Sequence, residues 1–229
     1  MKIAVYTTIF GEYDKLIRPE FKKEADFFLF TDTDIKTDDF IVYRFPQAKN
    51  PRRESRKYKI NPHIYLPTYD YTIYLDGSIS MMISPREAVE KYLNGFDIAV
   101  HLHPWRDCIY DEIRVCAKFN LVKKEVAERQ LEFIKSKGYP EHNGLTENGV
   151  IIRRRSEAMK QLSQQWQVMY DRFTQRDQLS FCYVCWRLGI RYNIINNSLR
   201  EMRGLIPTEF KLYNHVGSYN TDRGSRSTV

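Results

Sequence analysis

Three short stretches carry side chains that could do chemistry together. The first is Asp76-Gly77-Ser78, at the end of the β-branched and aromatic run Tyr71–Leu75. A carboxylate at the C-terminal end of a buried central strand faces the crevice where α/β proteins bind ligands. Its hard oxygens suit a divalent cation that bridges two phosphates, and Gly77 lets backbone and ligand approach closely. The competing reading of Asp-Gly is an ordinary turn. The second stretch is RRESRKYKI, which begins after Pro51. Its Arg52, Arg56 and Lys59 stand at i, i+4 and i+7, one helical face. Three cations on one face suit a diphosphate, or form a solvated surface. The third is Arg176-Asp177-Gln178. Asp177 falls in a first helical turn, where the helix dipole favours a carboxylate, and from there it would reach a reacting substrate, with Gln178 bonding to hydroxyls.

Other polar residues stand where strands enter or leave loops. Thr7, Thr8, Gly11 and Tyr13 follow the strand-like Ile3-Ala4-Val5-Tyr6, and in an α/β nucleotide binder this first exit loop contacts base and ribose. Asp32 closes the second apolar run, as a ribose or base contact or as a turn cap. His103 and Arg106, with Trp105, leave the strand Asp97–His101 in a polar, aromatic loop suited to substrate. Glu147, Asn148 and Gly149 combine a carboxylate, an amide and a flexible glycine at a strand entrance, although Asn-Gly is also the commonest hairpin turn. His215 lies in the C-terminal segment KLYNHVGSYNTDRGSRSTV.

These groups must be positioned by a fold that the rest of the chain outlines. Strands are expected at Lys2–Ile9, Ala25–Thr31, Phe40–Phe45, Tyr71–Leu75, Asp97–His101, Val150–Arg153 and Arg191–Ile195. Between them lie helices over Arg52–Ile60, from Pro85 to about Leu93 behind the capping box Ser84-Pro85-Arg86-Glu87, and over Leu121–Lys137. A further helix carries Met159, Leu162, Trp166, Met169 and Phe173 at 3-4-3-4 spacing, a core stripe. Such alternation predicts a single α/β domain over residues 1–216, a mixed, mostly parallel central sheet flanked by helices, followed by a polar flexible tail over 217–229. Cys182-Tyr-Val-Cys185 has zinc or redox spacing, but it sits in the apolar run Leu179–Leu188 and reads as buried helix.

The 229 residues include 36 basic and 29 acidic ones, a net charge of +7 that suits phosphates, an acidic membrane face or nucleic acid, or a solvated surface. No recognised nucleic-acid motif accompanies it, which ranks that partner last. There is no apolar run near 18 residues and no leader pattern, so the expectation is a cytoplasmic protein with no membrane span.

Several pieces in order carry a resemblance: Arg56-x-x-Lys59-x-x-Pro62-His63, then Leu66-Pro67-x-Tyr69-x-Tyr71-x-Ile73-Tyr74-Leu75-Asp76-Gly77, then His103 and Arg106. Glu147-Asn148-Gly149-Val150-Ile151-Ile152-Arg153, Trp166 and Arg176-Asp177-Gln178-Leu179-Ser180-Phe181 follow. The series resembles the TOD/MUCI type glycosyltransferase-like family. The resemblance implies a GT-A-like fold and transfer of a sugar from a nucleotide donor, UDP-linked by analogy, to a hydroxyl of a glycan or other, possibly anionic, acceptor, as in polysaccharide biosynthesis. Asp76 then takes the place of the metal-binding Asp of the Asp-x-Asp motif, with Mn²⁺ or Mg²⁺ as cofactor, Ser78 in the last motif position and His215 completing the metal shell. Asp177 takes the place of the acidic residue near the acceptor. It acts as general base if the anomeric centre inverts; if configuration is retained, Asp177 or Glu147 stabilises an oxocarbenium-like centre. A non-catalytic carbohydrate- or nucleotide-sugar-binding module is the competing reading.

Overall fold

Parallel pairing of the first four long apolar runs builds half of one sheet, and the computed structural model describes it within residues 1–195 and 209–215. The strands are β1 (Ile3–Ile9), β2 (Asp26–Thr31), β3 (Ile41–Arg44), β4 (Tyr71–Asp76), β5 (Ile79–Met81), β6 (Ile98–Leu102), β7 (Thr146–Arg154), β8 (Asn193–Ile195) and β9 (Phe210–Leu212). The helices are α1 (Pro51–Ile60), α2 (Pro62–Tyr65), α3 (Pro85–Tyr92), α4 (Ile109–Lys118), α5 (Lys124–Ser136), α6 (Glu157–Arg172) and α7 (Gln178–Leu188). The main sheet runs β3-β2-β1-β4-β7-β6-β8, and β5 pairs with β9 in a small second sheet. Only β7 opposes its neighbours β4 and β6; the other pairings in the main sheet are parallel. The sheet is therefore mixed and mostly parallel, as expected.

Period-two alternation divides the strand side chains between two cores. Tyr6, Tyr74, Ile151 and Val100 face the core closed by α1, α4, α5, α6 and α7. Val5, Ile73, Ile152 and Ala99 face a smaller core closed by α3, β5 and Phe210. Helix starts are chemically specified. Asn50 accepts a bond from Arg53 N–H ahead of Pro51, Ser84 accepts one from Glu87 N–H, and Ser156 one from Met159 N–H. The α6 stripe is core, with Trp166 fully buried. Cys182 and Cys185 are buried free thiols inside α7.

Three expectations shift. Helix α4 was not foreseen, although Ile109, Ile113 and Cys116 stand at i, i+4 and i+7 and are all buried. The helix expected from Leu121 starts at Lys124. The loop expected to reach Asn148 is already strand from Thr146. There β7 carries an irregularity: Val100 faces Ile151, but His101 faces Glu147, so residues 148–150 bulge away from β6. The polar tail over 217–229 lies outside the described residues. No helix among the described residues is long and apolar enough to cross a membrane.

Candidate active site

Strand β1 ends beside β4 with Thr8 in register with Asp76. The bulge of β7 adjoins them, because Val150 pairs with Leu75. Helix α1 is the crossover element leading into β4, and Asp177 is the residue before α7. These pieces enclose a cleft of about 400 Å³, within the range of small-molecule sites. It brings together Thr8, Tyr13, Arg52, Arg56, Lys59, Asp76, Gly77, Ser78, Glu147, Asn148, Gly149, Asp177, Gln178 and His215 from the sequence reading.

The centre of the cleft is a charge network around Lys59, a fully buried lysine. Its Nζ lies 2.8 Å from Asp177 Oδ2, an ion-pair contact, and donates to Asp76 Oδ1 at 3.4 Å. Arg56 Nε donates to Asp177 Oδ1 at 3.0 Å. Asp177 is at the N-cap position of α7 but caps nothing with its side chain; its oxygens go to the two cations instead. Burial pushes its carboxyl up, but the charges of Lys59 and then Arg56 outweigh this and hold it well below the usual carboxylate range. The Tyr74 hydroxyl donates to Asp76 Oδ1 at 2.7 Å. Burial, and next the Asp76 charge, push that phenol far up, so it stays a donor.

A second layer fixes these groups. The guanidinium of Arg153, buried in the core, donates to the carbonyls of Lys59 (2.6 Å) and Ile60 (3.1 Å) and to the Tyr6 hydroxyl (3.1 Å). Tyr6 in turn donates to the Lys59 carbonyl at 2.9 Å. A cation on the last carbonyls complements the C-terminal end of α1. Trp166 Nε1 donates to the Asp177 carbonyl at 2.9 Å. Gln130 accepts from the Thr174 hydroxyl at 2.6 Å and donates to the Leu179 carbonyl at 2.8 Å, pinning the loop on either side of Asp177.

Asp14, absent from the sequence reading, lies against Gly77. A Cβ built on Gly77 would stand 2.8 Å from both Asp14 Cβ and Asp14 Oδ2. Its other oxygen meets His215 Nδ1 at 2.7 Å, and the His215 ring packs on Tyr13. His215 is delivered by β9, anchored where Tyr213 N–H donates to the Ser78 carbonyl at 2.7 Å. The sequence reading put His215 on the Asp76 ion; the structure pairs it with Asp14. Asp14 thus adds a carboxylate to the cleft that also holds Asp76, in a chain that has Ser78 where the motif has its second carboxylate. Oxygen donors with one imidazole suit Mn²⁺ or Mg²⁺. Among the described residues, the one trio of His, Cys and carboxylate ligand atoms within 4.8 Å of one another is Cys108, Asp111 and His142, none of which lines this cleft.

The cradle gives a test. Gly77→Ala is expected to cost about 1–3 kcal/mol by forcing Asp14 aside. Thermal unfolding reads it, and adding Asp14→Gly, which removes the Cβ and the carboxylate together, should recover most of the loss. A change below about 0.5 kcal/mol, the ordinary surface value, would show that Asp14 moves freely.

Five expected site residues stand elsewhere. Thr7 alternates to the opposite face from Thr8 and lines a small apolar cavity there. Gly11 N–H donates to Asp32 Oδ1 at 2.8 Å and Ala48 N–H to Asp32 Oδ2 at 3.0 Å, so Asp32 ties two loops together. Gly11 sits at φ 62° with Pro51 against it, a reason for glycine that needs no ligand. His103 Nδ1 accepts from the N–H groups of Trp105 and Arg106, and Arg106 Nε pairs with the buried Glu112. That loop is held by its own bonds at His103 and by helix α4 at Arg106. His101 is buried, and burial lowers its pKa to about 3, so it is a neutral core residue packed on Phe210.

Known proteins resemble this chain in sequence and in fold. The model of the TOD1/MUCI70 glycosyltransferase-like domain matches residues 39–203. The chain belongs to this family. Among curated relatives is the probable hexosyltransferase MUCI70 of Arabidopsis thaliana, 23% identical over 163 residues, covering 67% of this chain and 28% of that protein. The chain thus spans little more than a quarter of that relative's length. Among solved structures, the bifunctional glycosyltransferase WbbM in its apo form has a TM-score of 0.50 at 10% identity, over 85% of this chain and 38% of that one. Mouse xyloside xylosyltransferase 1 in apo form has a TM-score of 0.45 at 11% identity, over 85% and 84%. The WbbM likeness concerns the fold, which is the GT-A-like arrangement expected of the family.

Proposed function

We propose that this chain transfers a glycosyl group from a nucleotide-diphosphate sugar, UDP-linked first among candidates, to a hydroxyl of a glycan or related acceptor. The observation that carries this reading is the meeting of Asp76 and Asp177 across Lys59. Two carboxylates from elements a hundred residues apart converge on one buried cation, at the C-terminal rim of a central strand where open α/β sheets bind ligands.

The roles follow from charge and position. Asp76, with Asp14 in the same cleft, would hold Mn²⁺ or Mg²⁺. That ion, when bound, neutralises charge developing on the leaving diphosphate. Asp177 presents a fixed negative charge toward a sugar whose anomeric carbon becomes cationic, and its two cation partners make it a weak proton acceptor. The ion pairs therefore favour the charge-stabilising role over the general base. Asn148 is buried, accepts from the Thr146 hydroxyl at 3.0 Å, and keeps an Nδ2 with no partner in the cleft wall, a donor for a sugar hydroxyl. Glu147, Gly149 and Gln178 shape the same wall.

The test is release of free UDP from a panel of UDP-sugars in the presence of Mn²⁺. The intact chain should release it slowly without acceptor, and Asp76→Asn should lose at least about 100-fold of that activity together with the metal dependence of UDP binding. Tight nucleotide-sugar binding with no release at all would favour the non-catalytic module. Equal UDP affinity with and without metal in the intact chain would remove the metal from the account.

A further inference from the structure

We propose that Arg176 is the residue that grips a substrate oxyanion in this cleft. The inference rests on the glycosyl-transfer reading and adds a residue that the basic face of α1 does not include.

Charge pairing leads to it. Arg56 and Lys59, two of the three cations expected to hold a diphosphate, are already committed to Asp177 and Asp76. Arg176 lines the same cleft and forms no ion pair among the described residues. Its Nε is buried with no hydrogen-bond partner. A desolvated guanidinium N–H without an acceptor is costly to leave unmade, and such an exception in a cleft wall points to a functional role for the side chain. Asn148 Nδ2 is a second donor of the same kind in the same wall, on a side chain only 4% exposed. Both residues line one cleft, and both keep a buried donor without an acceptor, so a ligand rich in oxygen acceptors suits this wall.

The rest of the loop makes the grip rigid. Arg176 precedes Asp177, whose carbonyl is held by Trp166, and follows Thr174, which is held by Gln130. A planar guanidinium on a fixed base matches phosphate or carboxylate with two parallel bonds, which a lysine cannot reproduce. The shared chemistry is an oxyanion, from either the donor diphosphate or a carboxylate on an acidic acceptor glycan.

Calorimetric titration of the full chain separates these sources. The probes are UDP with Mn²⁺, uridine, and a uronic-acid oligosaccharide beside a neutral one. If the diphosphate is the ligand, Arg176→Gln weakens UDP about ten-fold or more and leaves uridine unchanged, and Arg176→Lys recovers only part. If the ligand is a glycan carboxylate, the same variant loses its preference for the uronic over the neutral oligosaccharide and keeps UDP affinity. Thermal unfolding within a few degrees of the parent shows that the variants are folded, and Arg176→Lys is the fallback where Gln is not. UDP and uronate binding both within two-fold of the parent overturn the proposal. Should the parent chain turn over nucleotide sugars and that insensitivity still hold, only the role of Arg176 falls. Should the parent bind no nucleotide sugar, UDP or uronate, the glycosyl-transfer reading falls and takes this inference with it.

Discussion

Replacing Lys59 with methionine should destabilise the fold by about 3–5 kcal/mol, the cost of stripping a buried charge of its partner. The lysine side chain is 2% exposed and the Asp177 side chain 9%, so little solvent is present to take over from the ammonium. Methionine keeps most of the unbranched stem and loses the ammonium, whose Nζ now lies 4.8 Å from the centroid of the Tyr74 ring. The missing element is then chiefly charge, with little volume lost. Asp76, 29% exposed, contributes less to the loss because water reaches it. Urea unfolding monitored by tryptophan fluorescence reads the change. The control is Lys59→Met combined with Asp177→Leu, which removes both buried charges and should regain most of the stability while leaving no activity. A loss under about 1 kcal/mol, the value of an exposed pair, would mean that the network is solvated and that Asp177 is not held as described.

This network also marks where sequence reasoning stops. Local signals were legible because they act locally: Asn50 and Pro51 start α1, Ser84 and Ser156 cap their helices, and the 3-4-3-4 stripe of α6 names its own core face. The end of β4 at Asp76 was legible for the same reason. Partners far apart in sequence were not. Lys59 and Asp177 both stand out in the sequence as candidates, but nothing in spacing says that one neutralises the other. Helical periodicity put Lys59 on a diphosphate-facing stripe, whereas tertiary packing buried it between two carboxylates. Asp14 went unnoticed because its importance comes from the missing Cβ of Gly77, a relation between two loops. Thr7 is a different failure. Strand alternation places Thr7 and Thr8 on opposite faces, so only one of the two could ever reach the cleft. His103 and Arg106 misled because a polar loop can find partners within the fold: Glu112, on the unforeseen helix α4, takes the arginine.

Asp177→Asn is expected to lower turnover about 10²–10³-fold, the range for removing one preorganised electrostatic group, while the chain still folds. Asparagine keeps the shape and one acceptor oxygen, and Lys59 retains Asp76, so the stability cost should be nearer about 1–3 kcal/mol. The pH dependence distinguishes what the carboxylate does. Its folded pKa is depressed below the ordinary 3.8, so its stabilising contribution is complete above that value and is lost as pH falls through the lower folded pKa. Across the neutral range it is ionised in both states and contributes no slope. A carboxylate so held is a poor proton acceptor near pH 7 but a constant negative charge, the property needed opposite a developing oxocarbenium ion. Rate profiles should therefore show no limb between about pH 5 and 8 that depends on Asp177. A limb in that window that disappears in Asp177→Asn would return the residue to general-base work, and would require substrate binding to draw Lys59 or Arg56 away from it.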